Sequence, residues 1–122
     1  MKSEELEKRL IRFAVNIFKL CDEFSKTAAG RHVAGQMIRS GSSPAFNYGE
    51  AQRAESIKDF IHKMQICLKE LNETKVALYI ATLAKFYKSK ELIDELTDEC
   101  HQLISIFVSS VNTAKKRRAR GR

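Results

Sequence analysis

Gln36-Met37-Ile38-Arg39-Ser40-Gly41-Ser42-Ser43-Pro44-Ala45-Phe46-Asn47-Tyr48-Gly49-Glu50-Ala51 is the stretch on which the fold turns. Apolar residues recur around it at helical spacing, yet Gly41, Pro44 and Gly49 interrupt the pattern. Proline has no amide hydrogen, and its ring presses on the carbonyl four residues back, here that of Ser40, costing about 3 kcal/mol in a regular helix interior. Phe46, Tyr48 and Ala51 nevertheless continue without a loop-like composition. The pattern predicts one helix over about residues 27–52, kinked near Pro44, with serine hydroxyls available to the freed carbonyls. Two short helices broken at Gly41 are the alternative.

The flanking sequence reads as helices packed on this one. Leu6, Leu10, Phe13, Ile17, Leu20 and Phe24 advance by fours and threes, the seam of a bundle helix over about residues 3–25. A second stripe, Ile11, Ala14, Phe18 and Cys21, makes this helix wide enough on its apolar side to touch two neighbours. Phe60, Met64, Cys67, Leu71, Thr74, Leu78 and Ala81 place a third helix over about residues 56–86. Ile93, Leu96, Cys100, Leu103 and Phe107 place a fourth over about 89–115, with Ser89 as its N-cap. One proline and five glycines do not supply the regular turn signals of an all-β chain. The expected fold class is therefore all-α, an antiparallel up-down-up-down four-helix bundle.

A chain of 122 residues can bury a real core without disulfides. Its formal charge is +7, and six of the cations, Lys115, Lys116, Arg117, Arg118, Arg120 and Arg122, crowd the last nine residues without an acid. The remainder holds 16 basic and 15 acidic residues and is nearly neutral. Residues 1–114 are thus expected to form the bundle and 115–122 a basic, disordered tail whose first residues extend the fourth helix. These six cations are the candidate contacts to nucleic acid.

Catalytic and metal chemistry finds no foothold in the pattern. Cys21, Cys67 and Cys100 are odd in number, far apart and on core lines, which argues against a disulfide framework or zinc site and fits a reduced cytoplasm. His32, His62 and His101 share no ligand spacing, and Asp59-Phe60-Ile61-His62 stands alone where a di-iron bundle needs paired motifs. Neither a signal peptide nor an apolar run of the ~20 residues that span a bilayer is recognisable. The expectation is a cytoplasmic protein that is not an enzyme, with no cofactor, membrane or small-molecule substrate.

Polar residues near the proline suggest a different role. In an antiparallel hairpin turning near residues 52–57, Arg39 falls level with Glu70, and Asn47 with His62. Arg39, Asn47, Tyr48, Glu50, Glu70 and Glu73 are expected to form a polar network fixing the register of helices 2 and 3.

Gln36-Met-Ile-Arg-Ser-Gly-Ser-Ser43, Asn47-Tyr-Gly-Glu-Ala51, Ala54-Glu-Ser56, Asp59-Phe-Ile-His-Lys63 and Leu68-Lys-Glu-Leu-Asn-Glu-Thr74 together resemble the bacterial intervening-sequence proteins. That family takes its name from insertions in large-subunit ribosomal RNA genes and was once labelled ribosomal protein S23. It is distantly similar to the accessory variability determinant of diversity-generating retroelements. The resemblance covers about Leu6 to Ala114 and excludes the basic tail. Pro44, Phe46 and Gly49 depart from its more usual residues, as a subfamily variant would. The resemblance implies a four-helix bundle assembling into a homo-pentamer without established enzymatic activity. Combined with the tail, it leads to an oligomer that binds RNA or a ribonucleoprotein. A scaffold for one dedicated protein partner, motivated by wide apolar faces on helices 1 and 4, is the alternative.

Overall fold

A computed structural model describes residues 1–121; Arg122 lies outside the described residues. Four helices follow one another: α1 (Ser3–Asp22), α2 (Ala28–Gln52), α3 (Ile57–Ala84) and α4 (Lys90–Arg120). Each packs along its neighbour in sequence, and α4 returns to touch α1 only lightly, which closes an up-down bundle. Phe13, Ile17, Leu20, Met37, Met64, Leu71, Leu78, Ile93, Leu103 and Phe107 fill the interior, and the predicted seams of α1, α3 and α4 face it, while Ile11 and Phe18 of the second stripe on α1 are exposed.

Local chemistry explains the helix ends. Thr27, Ser56 and Ser89 accept hydrogen bonds from the amides of Gly30, Asp59 and Leu92, which have no partner inside the helix. Helix α3 ends with Lys85 in the left-handed region at φ 57°, while Phe86 N donates to Ala81 O and Lys85 N to Thr82 O. The two turns at this end are fastened together. Phe24 packs on Phe86 at 5.8 Å, Ser25 N donates to Phe86 O, and the Glu23 carboxylate accepts from the amides of Lys88 and Ser89.

Helix α2 is continuous through Pro44, so it is not broken at Gly41. The serines support it differently from expectation. Ser42 Oγ donates to Ile38 O at 2.7 Å, whereas the buried Ser40 hydroxyl is engaged by Thr74 Oγ1 at 2.9 Å from α3. Gly41 permits the close approach of α1, because a Cβ there would lie 2.9 Å from Ile17 Cγ2.

Helix α4 corrects the expected disordered tail. It runs without interruption to Arg120, with Gly121 N donating to Arg117 O. Alanine, lysine and arginine are strong helix formers, and cations are favoured at a helix C-terminus. Ala114, one turn back, is buried and anchors the segment. Among the described residues, no helix is long and apolar enough to cross a membrane.

Two glycines of α2 separate packing from helix propensity. Gly35→Ala, where a Cβ meets nothing within 4 Å, should raise stability by up to about 1 kcal/mol. Gly41→Ala should lower it by about 1–3 kcal/mol despite the same gain in propensity. Urea midpoints moving in the same direction would contradict the close packing of α1 on α2.

Candidate nucleic-acid interface

The cations of the C-terminal segment project from an ordered helix. Lys115, Lys116, Arg117, Arg118 and Arg120 are five of the last six residues of α4; Arg118 is partly covered and the others are exposed. Lys115 and Arg118, three apart, and Lys116 and Arg120, four apart, are neighbours on the helix surface. Their spacing is therefore held by the backbone, and all but the partly covered Arg118 are exposed to solvent. Among the described residues none of the five has an ion-pair partner.

The polar network divides in two. Arg39 Nη1 donates to Glu70 Oε2 at 2.9 Å and Nη2 to Glu73 Oε2 at 2.5 Å, so one guanidinium bridges two carboxylates one turn apart on α3. Glu70 is nearly buried, while Arg39 and Glu73 sit at the surface. Glu50 reaches across to Lys63 at 3.7 Å and also ties α2 to α3. Asn47 and Tyr48 do not join this network. The Asn47 amide donates to Ser43 O and Oγ within its own helix, and the Tyr48 ring is buried edge-on against Phe107 of α4 at 5.8 Å. Burial, followed by nearby Glu7, raises the Tyr48 phenol above its ordinary value. A ring of this size gains more from the core than from a polar seam.

Three features escaped the sequence reading. Ser40 and Thr74 form a buried hydroxyl pair between α2 and α3, with Thr74 Oγ1 also 2.9 Å from Glu70 O. Arg9 of α1 holds Glu99 of α4 through two nitrogens, at 2.9 and 2.5 Å, across the loosest seam of the bundle. Tyr79 Oη lies 2.6 Å from His101 Nε2 between α3 and α4. The stepping of apolar residues carries no information about these polar matches.

The cysteines are spacers between helices. Cys21 Sγ donates to Ala34 O, Cys67 Sγ to Pro44 O and Cys100 Sγ to Leu71 O, each to an adjacent helix. Burial pushes all three thiols up to about 12, far from the thiolate that nucleophilic chemistry needs.

Among the described residues, exposed apolar side chains gather in two areas of the surface. Ile11, Val15 and Phe18 of α1 with Ala45 and Phe46 of α2 line a groove of about 300 Å³, from which Phe46 stands 74% exposed. Val76, Ile80 and Leu83 of α3 form the other, with Leu83 86% exposed. Helix α4 contributes Val108 alone among exposed large apolar residues, so the expected wide face on α4 is largely internal.

Residues 3–109 match the family model of the 23S rRNA-intervening sequence protein. The chain belongs to that family. A crystal structure from Bacteroides thetaiotaomicron, described as a protein with unknown function from the S23 ribosomal protein family, aligns at a TM-score of 0.81 and 28% identity. The alignment covers 92% of this chain and 99% of that one. No curated protein matches. The matched segment of the intervening-sequence family contains all of α1–α3 and most of α4 but stops before Lys115.

Arg39 should make stability depend on acid. Hydrogen bonding to Arg39 is the first cause holding the Glu73 carboxyl below its ordinary value of 4.5. Its stabilisation is present above the unfolded carboxylate range and is lost as pH falls through the lower folded value. Arg39→Met should therefore flatten the loss of stability between pH 5 and pH 3. Parallel pH profiles of the urea midpoint for wild type and variant would exclude this pair as a contributor.

Proposed function

We propose that this chain is a non-enzymatic, self-associating bundle of the cytoplasm that holds RNA, or a protein already bound to RNA, through the basic end of α4. The observation carrying this reading is the run of five exposed or partly exposed cations on the last six residues of a helix rooted in the core. A fixed row of cations gains from releasing the counterions that surround a polyanion, and a helical row loses less conformational freedom on binding than a flexible one. Contacts of this type neutralise phosphates and carry little sequence information.

Self-association is supported by the two apolar faces. One spans the α1–α2 groove and the other lies on α3, on different sides of the bundle. A contact joining two different patches is heterologous, and repeated about one axis it closes into a ring. The pentamer implied by family resemblance is one such ring. It would bring all α4 C-termini to the same side and multiply their charge.

A purely protein-binding scaffold is the second reading, favoured by the exposure of Phe46 and Leu83. Salt dependence separates the two. For a single-stranded RNA, log K should fall with log salt at a slope of about −3 to −4 if the α4 cations engage, and removal of residues 115–122 should abolish most of the affinity. Salt-independent binding, or none at low salt, would favour the scaffold.

Light scattering tests the assembly itself. The wild type should show five times the 13.9 kDa chain mass, and Phe46→Asp should reduce it while helicity is retained. A monomeric wild type would overturn the ring.

A further inference from the structure

Where α3 begins beside the last turns of α4, a groove of about 690 Å³ opens at one end of the bundle. Ser109, Thr113 and Arg117 line it from α4, and Gln52, Ile57 and Phe60 from the opposite side. Gln52, Phe60 and Ser109 are shared with an adjoining groove that reaches Tyr48 and Ile106, so the two form one continuous depression. Its lining is mixed in a particular order. Ile57 is 40% exposed and Phe60 partly so; Ser109 and Thr113 bring hydroxyls, Gln52 an amide, and Arg117 a cation contiguous with the basic run of α4. Glu55 is the one carboxylate among the lining residues, and it belongs to the α2–α3 turn.

That combination corresponds to the parts of a nucleotide. A planar base needs an apolar or aromatic face, ribose hydroxyls need groups that both donate and accept, and a phosphate needs a cation. The Glu55 carboxylate disfavours a second phosphate near the turn, so the polyanion is directed toward Arg117 and the end of α4. A duplex stacks its base faces inside and cannot offer one to such a groove, whereas a single strand can.

We propose that this groove seats one unstacked nucleotide of single-stranded RNA, with its phosphate at Arg117 and its base against Ile57 and Phe60. The inference rests on the RNA reading of α4 and adds a site for the strand beside the helix. It makes the protein selective for single strands over duplexes, which the cations alone would not.

Fluorescence anisotropy with a 12-nucleotide single strand and a hairpin duplex tests it, using the full chain and Ser109→Leu. Ser109 is exposed on a helix, so leucine there fills the groove without entering the core, and an unchanged melting temperature verifies this. The variant should lose about tenfold in affinity for the single strand, as expected for one lost base contact. Its salt slope should match that of the wild type, and duplex binding should be weaker and insensitive to the substitution. If the wild type binds the single strand and Ser109→Leu binds it equally, or if the duplex binds as tightly, the groove is overturned and the reading of α4 stands. If the wild type binds neither RNA, the reading of α4 fails, and the groove with it.

Discussion

The close approach of α1 to α2 at Gly41 is the constraint on which the rest of the bundle depends. Ile17 lies where a side chain at position 41 would have to go, so the two backbones come closer there than larger residues allow. This places Ser40 on the inner side of α2, where burial requires a hydrogen-bond partner. Thr74 supplies it from α3. Arg39, one residue away on the same helix, is then directed to Glu70 and Glu73. A steric condition at one position thus sets the register of three helices. Helix α2 continues through Pro44 in the same region, and polar groups bond locally around it: Ser42 donates to Ile38 O, Asn47 to Ser43 O and Cys67 of α3 to Pro44 O.

Charge is distributed by a different logic from packing. Four of the five ion pairs among the described residues join separate helices: Arg9 with Glu99, Arg39 with Glu70 and with Glu73, and Lys63 with Glu50; the fifth, Lys90 with Asp94, lies along α4. The cations of α4 beyond Ala114 have no such partners among the described residues. Their repulsion is borne by a helix anchored through buried Val111 and Ala114. The family match ends at residue 109, so this basic segment lies outside the matched residues.

The bundle was legible in the sequence because α1, α3 and α4 each carry a long apolar seam, and steps of three and four identify a helix irrespective of its neighbours. The pairing of Arg39 with Glu70 was legible too, since an antiparallel hairpin with a short turn fixes which positions lie level. Tyr48 was misassigned to the polar network because it sits among Asn47, Gly49 and Glu50, and its burial against Phe107 depends on a helix distant in sequence. Asn47 was misassigned for the opposite reason: the local alternative, a bond back to Ser43, won over the long-range one. The helical state of residues 115–120 was obscured by net charge, which resembles that of disordered tails. Continuity with a core helix and good intrinsic propensity decided otherwise.

If α4 beyond the core forms a surface for RNA, hydrogen–deuterium exchange with and without single-stranded RNA reads it directly. Exchange should slow in peptides spanning residues 105–120 and 52–60 at low salt, with the effect in 115–120 disappearing at high salt. Protection confined to the α1–α2 groove, or no change in residues 105–120 under conditions where RNA is bound, would contradict it.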